Sequence, residues 1–167
     1  MIKSQLDTVK HPEIFLVNHR GEKLMTDSVI ANTDLAIVRA IDDIQEFLLH
    51  QDNRFKVVIH CLYDPKGHVG KSYHYVRVDD GKTKLACAVD FHILFCPYIQ
   101  SVGLIREYYR DANLQDSCGY GIYPNWQNPG HHFDVRGYRA RWGFIGKKEV
   151  SFDLALAHAK KLFGKPK

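Results

Sequence analysis

Residues 119–144, GYGIYPNWQNPGHHFDVRGYRARWGF, constrain this chain more than any other stretch. Glycine and proline cut it into short extended pieces. Those pieces carry a His-His pair, an Asp two positions past the second His, three Arg, two Trp and three Tyr. An apolar core has no use for that density of polar and aromatic groups. The stretch therefore reads as one wall of a cleft and the source of the last ligand of a metal site. Its partners are expected earlier, near Ser72-Tyr73-His74 and Ala88-Val89-Asp90.

The rest of the chain suits a single domain spanning 1–167. With 45% hydrophobic and 25% charged residues it has enough apolar material for a real core. A net charge of +4, with basic residues scattered outside the tail Lys160, Lys161, Lys165 and Lys167, gives no stripe for nucleic acid. Cys61, Cys87, Cys96 and Cys118 form no CxxC pair. Their spacing suggests neither a cysteine zinc site nor a disulfide framework, and Cys61, Cys87 and Cys96 read as small buried hydrophobes. There is no secretory h-region and no membrane-length apolar run. The expectation is a chain made soluble in the cytoplasm, carried by another agent to any target outside it.

Taken in order, Ile14-Phe15-Leu16-Val17 reads as a strand, and Asn18-His19-Arg20-Gly21 as a turn. His11 and His19 read as surface residues. Residues 33–50 form the clearest helix, capped by Asn32 or Thr33, with Leu35, Val38, Ile41, Ile44 and Leu48 on one face. Residues 55–62 are a β-branched strand ending at the turn Asp64-Pro65-Lys66-Gly67. Asp80-Gly81 between two β-prone runs signals a hairpin, with the second run continuing through residue 95. A hairpin there returns the chain beside itself, so His74 and Asp90, sixteen positions apart, become neighbours. A helix over 97–111 follows, with Pro97 in its first turn and Tyr98, Val102, Ile105 and Tyr109 on one face. Short strands over 119–123, 131–135 and 140–145 come next. Ser151 then caps a last helix whose stripe is Phe152, Leu156, Ala159 and Phe163. Helices interleaved with short antiparallel strands give an α+β fold, a small sheet with flanking helices.

His74, Asp90 and His132 supply two imidazoles and a carboxylate, the donor set of a catalytic zinc that keeps a fourth position for water. The wording around them is ordered. Ser72-Tyr73-His74, Ala88-Val89-Asp90, Gly119-Tyr120-Gly121-Ile122-Tyr123-Pro124, His132-Phe133-Asp134-Val135-Arg136-Gly137 and Arg139-Ala140-Arg141-Trp142 follow one another. Together they resemble the zinc D-alanyl-D-alanine carboxypeptidase family, which shares its fold with the hedgehog signalling domain. The family pattern reads S-x-H-x-x-G-x-A-x-D, then G-x-G-x-Y-P, then H-x-D-x-R and R-x-R-W. The resemblance covers roughly residues 70–145. It implies a hedgehog/DD-peptidase-like fold and His74, Asp90 and His132 as zinc ligands. It also implies hydrolysis of bacterial cell-wall (peptidoglycan) peptides by zinc-activated water.

The chain departs from that pattern in three places. The step from His74 to Asp90 is longer than the family's, and the added residues fall at the Asp-Asp-Gly turn, so an inserted hairpin would preserve the site. The family's substrate-gripping Arg before the first ligand is missing, since Cys61-Leu62-Tyr63-Asp64 stands there. Arg77 and Arg136 are candidates to replace it, with Ser72 as a further substrate-side residue. Ser72 has no visible triad and is not read as a nucleophile. The usual slot for a base holds Pro129 and Gly130. Asp134 is then either the base or the partner of His132's free N–H. His131 points to the other face by strand alternation and is the weaker candidate, though a one-residue slip would exchange it with His132. Tyr123 is a candidate oxyanion donor. Tyr123 and Trp126 could line the cleft, whereas Trp142 reads as core. A catalytically silent zinc module of the same fold and a metal-free phage-type structural protein are the rival readings.

Overall fold

The computed structural model describes residues 7–66 and 72–164. The turn residue Gly67, the loop at 68–71 and the tail lysines Lys165 and Lys167 lie outside them. Residues 14–17 are not a strand. Pro12–Phe15 is a 3-10 turn that buries Ile14 and Phe15 side by side, which a strand's alternation forbids. A short helix, α1 (Asp27–Asn32), precedes the long α2 (Leu35–Gln51). Asp34, not Asn32 or Thr33, caps α2 and accepts from Ala36 N at 2.9 Å. Thr33 is occupied in a bridge to Ala86. His11 is not a free surface residue: it bonds Glu46 at 2.7 Å across the face of α2.

Strands β1 (Lys56–Cys61), β4 (Ala88–Leu94), β5 (Gly119–Tyr123), β6 (Gly130–Asp134), β7 (Ala140–Ile145) and β8 (Lys148–Ser151) form one sheet in the order β1-β4-β6-β5-β7-β8. Only the β5–β7 pairing is parallel. The hairpin strands β2 (Arg77–Asp79) and β3 (Lys82–Lys84) form a separate two-stranded ribbon. Asp80 and Gly81 both take positive φ, 51° and 71°, as a two-residue primed turn requires. The second run does not pass unbroken into β4. The chain leaves the ribbon at Leu85, and Ala86 bonds to the α1–α2 junction before β4 begins.

Helices α2, α3 (Tyr98–Asp111) and α4 (Phe152–Phe163) cover one face of the sheet. Ile59, Val89, Phe91, Tyr120, Ile122 and Phe133 point into that core and are buried. On α4 the buried stripe is Phe152, Ala155 and Ala159, whereas Phe163 is exposed, its ring beyond the sheet and edge-on to Tyr98. Burial does not follow the expected cysteine pattern either. Cys87 and Cys118 are buried, Cys61 and Cys96 only half-buried, and all four are free. The result is an α+β fold with a mostly antiparallel six-stranded sheet and four helices. None of the described helices is long and apolar enough to cross a membrane.

Candidate metal centre

The opposite face of the sheet carries the polar residues. Asp90 pairs with His132, His132 with Gly121, and Gly121 with Trp142, so four adjacent strands present one row of side chains. His74 reaches that row from a loop pinned on two sides. Asp64 N donates to His74 O and Cys87 N donates to Tyr73 O, each at 2.9 Å. The imidazole is fixed as well, since His74 Nδ1 donates to Leu62 O at 2.7 Å.

His74 Nε2, an Asp90 oxygen and His132 Nδ1 thereby converge. The separations are 3.2 Å between the two nitrogens, 3.3 Å from His74 Nε2 to Asp90 Oδ2, and 2.9 Å from His132 Nδ1 to Asp90 Oδ1. Tetrahedral donors at ~2.0–2.1 Å from an ion lie roughly 3.3 Å apart. The three residues are buried, and they are the metal-capable group of His, Cys, Asp or Glu among the described residues.

Tautomers follow from the outer partners. His74 gives its Nδ1 proton to Leu62 O, and His132 gives its Nε2 proton to Asp134 Oδ2 at 2.9 Å. Both inner nitrogens then carry lone pairs, facing one another beside a carboxylate. That arrangement could hold a metal ion among the three residues. With protons alone, burial lowers both imidazoles. Asp90 overrides this for His74, pushing it up to about 10, and Asp134 with Asp90 does so for His132, to about 9. Burial likewise raises Asp90, but His74 and His132 hold it well below the usual carboxylate range.

Asp134 is fully buried. It accepts from Gly119 N at 3.2 Å and from Arg136 Nε at 2.6 Å, and it also pairs with Arg136 Nη2. Burial raises its carboxyl, and the bonds from Arg136 and His132 outweigh that and hold it at about 2. Of the two roles open to Asp134, this geometry matches the orienting partner of His132. Arg136 is committed to Asp134 and packs over the rings of Tyr73 at 4.1 Å and Trp142 at 4.9 Å. No family model, curated protein or solved structure matches this chain.

A cleft of about 740 Å3 opens over the row. Ser72, Tyr123, Arg136 and Trp142 line it beside the three converging residues. Trp142 is therefore a cleft residue, not core. Its indole lies on Gly121, where a Cβ would come within 2.7 Å of the ring, and 5.0 Å from the His132 ring. Tyr123 stacks on Trp126 at 4.1 Å, and burial drives its phenol well above the ordinary value, so it stays protonated. Ser72 Oγ accepts from His74 N at 3.2 Å. Arg77 lies over the Tyr73 ring at 3.9 Å and is not among the cleft-lining residues. His131 sits on the helix side, bonded to Ser101 at 2.9 Å and Tyr120 at 3.0 Å and fully buried, with no path to the cleft. Sequence reasoning missed Glu149, which enters the cleft from β8. The signal was available: Gly146-Lys147 between two extended runs is a hairpin turn.

Proposed function

We propose that the cleft is the active site of a zinc-dependent peptidase with a hedgehog/DD-peptidase-like fold, acting on bacterial cell-wall peptides. One observation carries it: two imidazole nitrogens and a carboxylate converge with both outer nitrogens already fixed, by Leu62 O and Asp134. The donor set, two nitrogens and one oxygen, is the catalytic-zinc combination. The substrate class rests on the ordered blocks from Ser72 to Trp142. A divalent ion held by His74, Asp90 and His132 supplies Lewis acidity and makes water acidic near neutral pH.

The chain's own groups do the rest. Asp134 and Arg136 keep the His132 ring in one tautomer and one orientation. Tyr123, protonated, donates its O–H to the oxyanion that develops on the scissile carbonyl. Glu149 is the carboxylate lining the cleft that is exposed. β8 lies three strands from His132, and Glu149 is the candidate base that would take the proton of the attacking water on a carboxylate oxygen and return it to the leaving amine nitrogen. Trp142 forms the wall of the cleft beside the His132 ring.

The test is zinc stoichiometry of the purified chain, followed by digestion of cell-wall peptides with and without chelator, in wild type and His132→Ala. Turnover that survives both chelator and the substitution refutes the proposal. A silent metal-binding module is the second reading, favoured by the full engagement of Asp134 with His132 and Arg136. Stoichiometric zinc without turnover on any such peptide selects it.

A further inference from the structure

A second cavity, of about 490 Å3, is lined by Arg106, Arg110, Arg139 and Arg141 with the acids Glu107 and Asp116. Four guanidiniums against two carboxylates leave it positively charged. Arg141 also borders the metal cleft, but its guanidinium lies over the Tyr109 ring at 4.3 Å. There it is anchored by bonds of 2.6 Å to Cys118 O and 2.9 Å to Gln115 O. Arg110 makes an exposed pair with Asp111 at 3.2 Å. Arg106 and Arg139 form no ion pair among the described residues, and both are exposed. Arg106 comes no closer to a ring than 5.8 Å from Phe152.

Gly103 lines the same space and leaves room in it. Gly103, Arg106, Glu107 and Arg110 follow at helical steps of three and four, so they share one face of α3. A glycine in the middle of a helix weakens it relative to alanine. Among the described residues nothing requires it here, because a Cβ at Gly103 would meet no atom within 4 Å and its φ is not positive. The glycine leaves bare backbone facing the arginines, with open space in front of it.

We propose that this cavity binds a phosphate-bearing ligand seated against Gly103. Arg106 and Arg139 close on it, while Arg141, already anchored, presents a fixed positive wall. A carboxylate fills one guanidinium fork. The two uncommitted forks, Arg106 from α3 and Arg139 from the 139–141 segment, suit a tetrahedral anion with three or more peripheral oxygens. The volume exceeds that of bare phosphate and falls within the range of small-molecule sites. The group bound is therefore a phosphate ester or a phosphodiester segment.

Calorimetric titration of the full chain with inorganic pyrophosphate and with an abasic phosphodiester oligomer tests this. Saturable binding of at least one probe is expected, weakened about 10-fold or more by Arg106→Gln and by Arg139→Gln. Pyrophosphate binding alone points to a free phosphorylated small molecule, and tighter oligomer binding points to a polymer. Gly103→Leu is the decisive variant. It should block the probe by a similar factor while raising Tm by about 1–4 °C, since a good helix former replaces glycine. Zinc affinity should be unchanged in all three variants. The absence of saturable binding by either probe overturns the proposal. So does binding that survives Arg106→Gln and Arg139→Gln, or binding that Gly103→Leu leaves intact.

Discussion

Gly119→Ala adds one methyl group, carries no charge and touches no proposed ligand, yet it should damage the metal centre. A Cβ at residue 119 would lie 2.6 Å from Asp134 Oδ1 and from Arg136 Nε, and closer still to Asp134 Oδ2. Ordinary contact begins near 3.4 Å, so the carboxylate must retreat by about 0.8 Å at Oδ1 and by about 1.1 Å at Oδ2. That takes the 2.9 Å bond to His132 Nε2 and the 3.2 Å bond from Gly119 N out of hydrogen-bond range. If the backbone gives instead, residue 119 leaves its pairings with Asp134 on β6 and Ala140 on β7. Each hydrogen bond to the buried carboxylate is worth about 1.5–3 kcal/mol. Alanine recovers about 0.5–1 kcal/mol over glycine in a strand. With both bonds lost the net loss is about 2–5.5 kcal/mol, a fall in Tm of about 4–22 °C for a domain of this size. Zinc affinity, measured by competition with a chromogenic chelator, should drop about 10- to 100-fold because the ring of His132 loses its orienting partner. Wild-type Tm together with wild-type zinc affinity in Gly119→Ala would refute the role assigned to Asp134.

Three further outcomes are expected. Glu149→Gln should lower kcat on a cell-wall peptide by about 10²–10⁴ while leaving zinc affinity within a factor of about two; loss of zinc instead would make Glu149 a ligand. Zinc at about 100 times its Kd should stabilise the chain by ~2.7 kcal/mol, a Tm rise of about 5–11 °C, and Asp90→Asn should abolish the shift. Burial holds His131 down at about 3, against 6.5 when unfolded. Between those values the unfolded chain takes a proton that the fold does not, so the associated stability is full above pH 6.5 and is lost as pH falls toward 3. The whole window is worth roughly 5 kcal/mol. His131→Gln should therefore flatten the dependence of the urea midpoint on pH between 6.5 and 4; an unchanged slope would place His131 in water.

Much of this was legible in the chain because the signals were local. Asp80-Gly81 announced its own turn, and alternation put Asp134 with His132 and His131 on the far face. Residues 14–17 failed because a four-residue apolar run fits a strand or a tight helical turn equally well. Trp142 was misplaced because its burial depends on Gly121, two strands' worth of chain away, leaving room for the indole. Glu149 escaped because β8 is short and mostly exposed, with no apolar alternation to mark it. What the sequence lacked for Trp142 and Glu149 was the neighbour across the sheet.

The sheet also explains how the long run between His74 and Asp90 can leave the centre whole. Asp90, His132, Gly121 and Trp142 are held by backbone pairing across β4, β6, β5 and β7, and none of that pairing involves β2 or β3. The ribbon projects from a point where the chain is clamped before and after it, at His74 O and at Cys87 N. Its length is therefore decoupled from the 3.2 Å separation of His74 Nε2 and His132 Nδ1. The same logic fixes which changes matter. Residues at the ribbon tip are free to vary, whereas a one-residue slip in the β4–β6 register would carry Asp90 or His132 to the helix side and dismantle the site at once.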